Sequence, residues 1–216
     1  MWADRVVGIK TPNMIASGTM IADGFIVTNR HVAEDHARVM TRDIKGRIRS
    51  ATPLAHNFAA DLVILRMESA NGVPDNAPAV ADGKPQELYV VAFDQGRNGP
   101  RVYAAGDFAL YPAAAASSRA RIHTNARALP GNSGGAVVDS DGRLVGILAS
   151  GDGKISELVP AAHITSVLQS TNPEHDRKFQ ETGTAIRLCA DALYDASAIS
   201  RDPPELLVGL IENECL

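Results

Sequence analysis

Short apolar segments separated by turn residues make up most of this chain. From residue 5 to about 160, runs rich in Val, Ile, Leu and Thr are interrupted at close intervals by Gly, Asn, Asp and Pro. This pattern predicts many short antiparallel strands. The predicted strands are Arg5–Lys10, Ala16–Ile21, Phe25–Thr28, Arg38–Thr41, Ile48–Leu54, Asp61–Met67, Leu88–Phe93, Arg101–Leu110, Arg121–Thr124, Gly135–Val138 and Leu144–Leu148. Two dipeptides, Asp23-Gly24 and Lys45-Gly46, predict tight turns between neighbouring strands.

The strands fall into two sets, because a connector rich in Pro, Asn and Gly runs from about residue 71 to 83. Two similar halves predict an all-β fold built from two barrels. We expect the first barrel over about residues 5–75 and the second over about 84–160, both within one domain of residues 1–171.

Helical periodicity replaces the strand pattern after Pro160. The segment Ala161–Leu168 predicts a helix, and residues 172–216 are expected to form a helical C-terminal extension. Within the extension, apolar residues recur at helical spacing from Thr182 onward, and a second short helix is predicted over Glu205–Ile211. Two roles remain open for the helices of residues 182–216: packing against the second barrel, or association with a partner or a second copy.

Composition and charge exclude several functional classes. The formal net charge is −4 and no Lys/Arg-rich run occurs, so nucleic-acid binding is not expected. No apolar stretch approaches the ~20 residues of a membrane-spanning helix. The two cysteines, Cys189 and Cys215, both lie in the extension, so no disulfide framework supports the main domain. No Cys/His cluster has zinc-site spacing, so neither a metal nor a cofactor is expected.

The N-terminal sequence Met1–Arg5 lacks the apolar core of a secretion signal. The expected location is therefore the cytoplasm if this N-terminus is native. If a leader was removed, the expected location is periplasmic or otherwise extracytoplasmic.

The segment most informative about chemistry is Gly131-Asn132-Ser133-Gly134-Gly135. Glycines around a serine allow a sharp turn that exposes the hydroxyl group while backbone amides converge on one point. The same five residues are equally consistent with a glycine-rich turn that carries a solvated serine. Two further features change this balance: His31 ends a predicted strand, and Asp61 begins an apolar one. Each is a weak signal alone, but together they supply a nucleophile, a base and a carboxylate.

With these three residues in this order, the chain resembles the trypsin-like, chymotrypsin-fold serine peptidases, and specifically their bacterial HtrA/Deg branch. The matching segments are Ser17-Gly18-Thr19-Met20-Ile21, Thr28-Asn29-Arg30-His31-Val32, Asp61-Leu62-Val63-Ile64-Leu65 and Pro130-Gly131-Asn132-Ser133-Gly134-Gly135. The resemblance covers about residues 5–168 and implies two six-stranded antiparallel barrels. It implies a serine endopeptidase acting on polypeptides through an acyl-enzyme, with His31 as base, Asp61 as orienting carboxylate and Ser133 as nucleophile. The amides of Gly131 and Ser133 would form the oxyanion hole.

Some residues depart from the family's patterns. Asn132 stands where animal trypsins carry an aspartate that pairs with a newly cleaved N-terminus, so we expect no activation of that kind. Leu129 stands where the Deg branch usually has Asn, and Phe93-Asp94-Gln95-Gly96 replaces its Gly-Asn-Pro type of turn. The PDZ domain common in that branch is not found within these residues.

The family's geometry also suggests a substrate pocket. Its wall would be formed by Arg127, Ala128, Leu148, Ala149, Ser150 and Gly151. No aspartate is positioned to receive a Lys or Arg side chain, so we expect a preference for aliphatic residues such as Val, Ala or Leu. An inward-pointing Arg127 would instead recruit an acidic residue.

Two other functions are compatible with parts of this pattern. An α/β-hydrolase esterase also fits the pattern around Ser133, but that fold requires a helix after the serine, and here Ala136-Val137-Val138 predicts a strand. The remaining alternative is a catalytically silent peptide-binding scaffold of the same fold.

Overall fold

Two antiparallel sheets dominate the part of the chain that the structure describes. The computed structural model describes residues 2–22, 24–54, 56, 58–68, 76–95 and 97–171. The helices predicted within residues 172–216, together with Cys189 and Cys215, lie outside the described residues.

The first sheet closes into a six-stranded barrel with the order β1-β2-β3-β6-β5-β4. Its strands are β1 (Val6–Lys10), β2 (Ile15–Ala22), β3 (Phe25–Thr28), β4 (Val39–Arg42), β5 (Ile48–Leu54) and β6 (Val63–Met67). Strand β2 is buried continuously from Ala16 to Ile21, on both of its faces. One face of β2 lines the barrel and the other lies against the second sheet. The hydroxyl groups of Ser17 and Thr19 can be buried on this second face because they donate to backbone carbonyls near the second sheet.

The second sheet has seven strands in the order β8-β7-β11-β12-β13-β10-β9, and it curls without closing within the described residues. Its strands are β7 (Leu88–Phe93), β8 (Pro100–Val102), β9 (Ala109–Leu110), β10 (Ile122–Thr124), β11 (Ala136–Asp139), β12 (Leu144–Gly151) and β13 (Ser156–Pro160). The all-β prediction is therefore confirmed, but the second half is an open seven-stranded sheet rather than a closed six-stranded barrel.

One strand prediction in the second sheet was wrong, and one strand was missed. The predicted strand Arg101–Leu110 is two short strands, β8 and β9. Between them, Gly106 passes so close to Ala126 that a Cβ atom on it would lie 2.5 Å from the amide nitrogen of Ala126. Strand β13 was not predicted, since its polar residues and terminal Pro160 hide the alternation along Ser156–Pro160.

The described residues also form a short 3₁₀ turn at Trp2–Asp4, before β1, and two α-helices. Helix α1 (Arg30–Ala33) follows β3 directly and was not predicted. Helix α2 (Ala162–Ser170) matches the predicted helix closely, and its Ile164 and Val167 side chains are buried. No helix within the described residues has the length and apolarity needed to cross a membrane.

A shared apolar core joins the two sheets. Val27 and Ile64 of the barrel pack in one cluster with Val91 and Ile147 of the second sheet and Val167 of α2. Burying one such aliphatic side chain contributes about 1.5–3 kcal/mol relative to its exposure. The two sheets are therefore held together by the same driving force that stabilises each of them.

The β4–β5 turn is organised by a buried carboxylate. Gly46 adopts φ +77°, as the predicted Lys45-Gly46 turn requires. Asp43 accepts hydrogen bonds from the backbone amides of Lys45 and Arg47, both at 2.9 Å, and from Arg47 Nε at 2.6 Å. Burial alone would raise the pKa of Asp43, but these hydrogen bonds and the charges of Arg47 and Arg49 lower that pKa below its usual value.

The variant Asp43→Asn should destabilise the protein by about 1–3 kcal/mol at pH 7, because charge-assisted hydrogen bonds in the β4–β5 turn are weakened. A lowered native pKa means that this stabilisation is present above the ordinary carboxyl pKa of 3.8 and is lost as the pH falls through the native value. Urea unfolding at pH 7 measures the difference, with the exposed Asp35→Asn as control. Equal stability of the two variants would contradict this account of the turn.

Candidate active site

His31 and Asp61 form a hydrogen-bonded pair at the end of the first barrel. His31 Nδ1 lies 3.0 Å from Asp61 Oδ2 and 3.2 Å from Asp61 Oδ1. Because a carboxylate can only accept, Nδ1 carries the proton and donates it in this pair. The neutral imidazole then presents Nε2 as an acceptor, and Nε2 has no partner among the described residues.

Local structure fixes both members of the pair. Helix α1 starts immediately after β3, so His31 projects from its first turn with a side chain that is 45% exposed. The buried Asn29 donates from Nδ2 to the backbone carbonyl of Asp61 at 3.0 Å, and the amide of His31 lies 3.3 Å from Asp61 Oδ1. The end of β3 and the start of β6 are thereby tied to each other.

Ser133, which precedes β11 of the second sheet, lies close to His31. It lies beside His31 on the wall of a cavity of about 580 Å³. In this structure Ser133 Oγ donates to the carbonyl of Ala149 at 3.1 Å, and it makes no hydrogen bond with His31. Ala149 is free to accept because the β12–β13 ladder is bulged between Leu148 and Ser150.

The turn before Ser133 exposes backbone amides. Gly131 has φ +98°, a conformation that favours glycine, and the amide of Asn132 closes the turn by donating to Leu129 at 3.0 Å. The carbonyl of Pro130 accepts from the amide of Gln95 at 3.1 Å. In a planar trans peptide the N–H points opposite to the C=O, so the Gly131 N–H is directed away from Gln95. Neither this amide nor that of Ser133 has an acceptor among the described residues.

Strand β2 of the barrel holds the loop of residues 129–134, here called the serine loop, in position. Ser17 Oγ donates to the carbonyl of Gly131 at 2.8 Å and accepts from the amide of Phe93 at 2.9 Å. The amide of Ser17 donates to the carbonyl of Ser133 at 2.7 Å, and Thr19 Oγ1 donates to the carbonyl of Gly134 at 3.0 Å. The approach is so close that a Cβ atom on Gly134 would lie 1.9 Å from the carbonyl oxygen of Ser17.

The residues predicted for the pocket divide into two groups. Five of them lie on the wall of the cavity shared by His31 and Ser133: Ala128, Leu148, Ala149, Ser150 and Gly151. Arg127 is exposed and does not line that cavity. Asp152 lines the cavity and was not predicted; its carboxylate accepts from the amides of Lys154 and Ile155, both at 2.8 Å. Within the described residues, no group of three or more His, Cys, Asp or Glu side chains is placed to hold a metal ion.

Comparison with known proteins identifies the family. A family model described as "Trypsin-like peptidase domain" matches residues 16–147, more than half of the chain. The chain belongs to this trypsin-like peptidase family. The segments around His31, Asp61 and Ser133 lie within the matched range.

Curated relatives of this trypsin-like domain are of the HtrA/Deg type. The serine endoprotease DegS of Haemophilus influenzae is 27% identical over 207 residues, which cover 88% of this chain and 57% of that protein. A probable periplasmic DegP-like serine endoprotease of Chlamydia pneumoniae is 30% identical over 149 residues, covering 61% of this chain and 28% of that protein. The chain therefore spans little more than half, or less, of the relatives it matches.

Solved structures share the fold of this domain. The Rv3671c protease of M. tuberculosis in its inactive form aligns with a TM-score of 0.64 at 18% identity, covering 79% of this chain and 90% of that chain. The serine endoprotease from Yersinia pestis aligns with a TM-score of 0.62 at 24% identity, covering 77% and 62%. At these identities the likeness supports the chymotrypsin-like architecture alone.

Sequence reasoning missed the polar residues that hold the candidate site together. Ser17 and Thr19 lie in a matching family segment, but their burial follows from contact with the second sheet and not from the pattern of β2. Asn29 and Asp94 also gave no signal of their own. An uninterrupted run from Ala16 to Ile21, with hydroxyls among apolar residues, was the available clue to a strand buried on both faces.

The variant Ser17→Ala should lower the free energy of unfolding by about 1–3 kcal/mol, because the carbonyl of Gly131 and the amide of Phe93 lose a buried partner. Chemical denaturation measures this loss. Ser50→Ala is the matched control, since Ser50 Oγ is buried without a partner among the described residues. A loss no larger than that of the control would show that Ser17 does not hold the serine loop.

Proposed function

We propose that this chain is a serine endopeptidase that hydrolyses peptide bonds through Ser133, His31 and Asp61. The observation that carries the proposal is that His31, paired with Asp61, and Ser133 come from different parts of the chain and line one cavity. In the loop that carries Ser133, the amides of Gly131 and Ser133 have no acceptor among the described residues. Membership of the trypsin-like family supports the same reaction class.

The first chemical step forms an acyl-enzyme. Ser133 Oγ leaves the carbonyl of Ala149 by rotating about χ1 and approaches His31 Nε2, which accepts its proton. The oxygen attacks the scissile carbonyl carbon, and the resulting anion is stabilised by the N–H groups of Gly131 and Ser133. Collapse of this tetrahedral species breaks the C–N bond, and the leaving amine takes the proton from His31.

Water completes the cycle in the second half-reaction. His31 Nε2 accepts a proton from the attacking water, and the returning proton restores the Ser133 hydroxyl as the acid product leaves. Throughout, Asp61 keeps the ring in the tautomer with Nδ1 protonated and stabilises the imidazolium when it forms.

The cavity supports an aliphatic substrate preference. Ala128, Leu148 and Ala149 line it, while Arg127 is exposed and lies outside its wall. A buried Lys or Arg side chain of a substrate would need a buried partner, and Asp152, the acidic residue among the described residues that line the cavity, is exposed.

A peptide-binding scaffold of the same fold is the second candidate. Its support is the hydrogen bond of Ser133 Oγ to Ala149 in place of one to His31. An activated serine reacts covalently with a fluorophosphonate, whereas a scaffold does not.

The proposal is tested by labelling with a fluorophosphonate and by hydrolysis of casein. The wild-type chain should react at one site, and Ser133→Ala should lose both labelling and hydrolysis. Asp61→Asn should lower kcat by about 10⁴-fold, because the imidazole then favours the wrong tautomer. Circular dichroism checks that the variants are folded. Hydrolysis that persists unchanged in Ser133→Ala, or a folded wild-type chain that neither labels nor hydrolyses, would refute the endopeptidase.

A peptide library read by mass spectrometry tests the pocket. Cleavage is expected mainly after Val, Ala or Leu, and Arg127→Ala should leave this preference unchanged, as should the exposed control Arg119→Ala. Cleavage mainly after Lys or Arg would refute the aliphatic pocket. Cleavage mainly after Glu or Asp that disappears in Arg127→Ala would show that the guanidinium faces inward.

A further inference from the structure

The residue before the proposed nucleophile is anchored by a buried carboxylate from another strand. Asn132 is fully buried, and its Nδ2 donates to the carbonyl of Phe93 at 2.7 Å and to Asp94 Oδ1 at 3.1 Å. Asn132 Oδ1 accepts from the amide of Leu129 at 2.7 Å. The side chain therefore spans the serine loop and the end of β7, with its amide orientation fixed at both ends.

Asp94 is placed to fix that arrangement from outside the loop. Its side chain is 10% exposed, so one carboxylate oxygen faces Asn132 while the other lies 3.5 Å from Arg97 Nε and 3.6 Å from an Arg101 guanidinium nitrogen. Both arginine side chains are more than half exposed, so these pairs are weak. The hydrogen bond to Asn132 is the buried, charge-assisted contact of Asp94.

The residue after Asp94 holds the peptide that presents the Gly131 amide. Gln95 donates its backbone amide to the carbonyl of Pro130 at 3.1 Å, and this bond sets the direction of the Gly131 N–H. The segment from Phe93 to Gln95 thus contacts the serine loop twice: through the Asn132 side chain and through the Pro130–Gly131 peptide.

From this geometry we infer that Asp94 is a positioning residue of the proposed peptidase: through Asn132 it holds the serine loop with the Gly131 amide directed at the developing oxyanion. The inference rests on the proposed function. In animal trypsins an aspartate at the position of Asn132 pairs with a newly cleaved N-terminus. Asn132 is neutral and cannot form that pair, and the inference explains how the loop is held without it. Here the carboxylate of Asp94 supplies the hydrogen-bond acceptor that anchors the loop through Asn132.

The test compares Asp94→Ala with Asp94→Asn on a chromogenic Ala-Ala-Val peptide substrate. Asp94→Ala should lower kcat by about 10- to 100-fold with KM changed less than about threefold, because the lost alignment is felt mainly in the transition state. The inhibition constant of the matching peptide boronic acid, whose tetrahedral adduct places an oxygen at the same amides, should rise by a similar factor. Asp94→Asn keeps an acceptor for Asn132 Nδ2 and should restore kcat to within about fivefold of wild type.

Two control variants separate positioning from general stability. Asp139→Ala removes another buried carboxylate of the same sheet, one that accepts from the amides of Asp141 and Arg143 and does not contact the serine loop. The double variant Arg97→Gln with Arg101→Gln removes the weak ion pairs of Asp94 and leaves its hydrogen bond to Asn132. With rates normalised to the folded fraction from near-ultraviolet circular dichroism, both controls should keep wild-type kcat and boronic-acid affinity.

The outcomes distinguish the inference from the function on which it rests. A folded wild-type chain without turnover refutes the proposed function. An active wild type together with an equally active Asp94→Ala refutes the positioning role alone. Loss of kcat in Asp94→Ala that Asp94→Asn does not restore, or that the Arg97/Arg101 double variant reproduces, also refutes it, because the charge pairs would then carry the effect. If Asp94→Ala does not fold, a kcat of Asp94→Asn below one-tenth of the wild-type value would refute the positioning role instead.

Discussion

One buried hydroxyl, that of Ser17, joins the two halves of the site. It donates to the serine loop at Gly131 and accepts from the end of β7 at Phe93, so three separate segments share one oxygen atom. A buried carbonyl or amide without a partner costs about 1–3 kcal/mol, so the barrel and the second sheet must dock in one register to satisfy both groups. The close approach of Gly134 to the same strand leaves little room for any other register.

The groups proposed for catalysis are divided between the sheets that this contact joins. His31 and Asp61 belong to the first barrel, where Asn29 ties their segments together. Ser133 and the exposed amides belong to the second sheet, where Asn132 and Gln95 fix the turn. Neither sheet holds a complete site, and the geometry between the halves depends on the apolar core and on the polar contacts of β2.

Local patterns were sufficient for much of the fold. Strands Phe25–Thr28, Ile48–Leu54 and Leu88–Phe93 have the predicted bounds, because apolar runs with clear turn residues at their ends carry their own signal. The number of strands in the second sheet and its open edge depend on pairing between distant segments. The contacts of Asp94 and the exposure of Arg127 depend likewise on neighbours brought together only by the tertiary fold, so no local pattern could predict them.

The distance along the chain between Ser17 and the serine loop bears on how the molecule matures. The two are 114 residues apart, so their contact cannot form until the chain between them is in place. A newly synthesised chain passes through states with exposed segments that any peptidase could cut. In those states this chain carries no assembled site, because its halves are not yet docked. Under the proposed function, a partly folded chain would therefore have no peptidase activity until its two sheets dock.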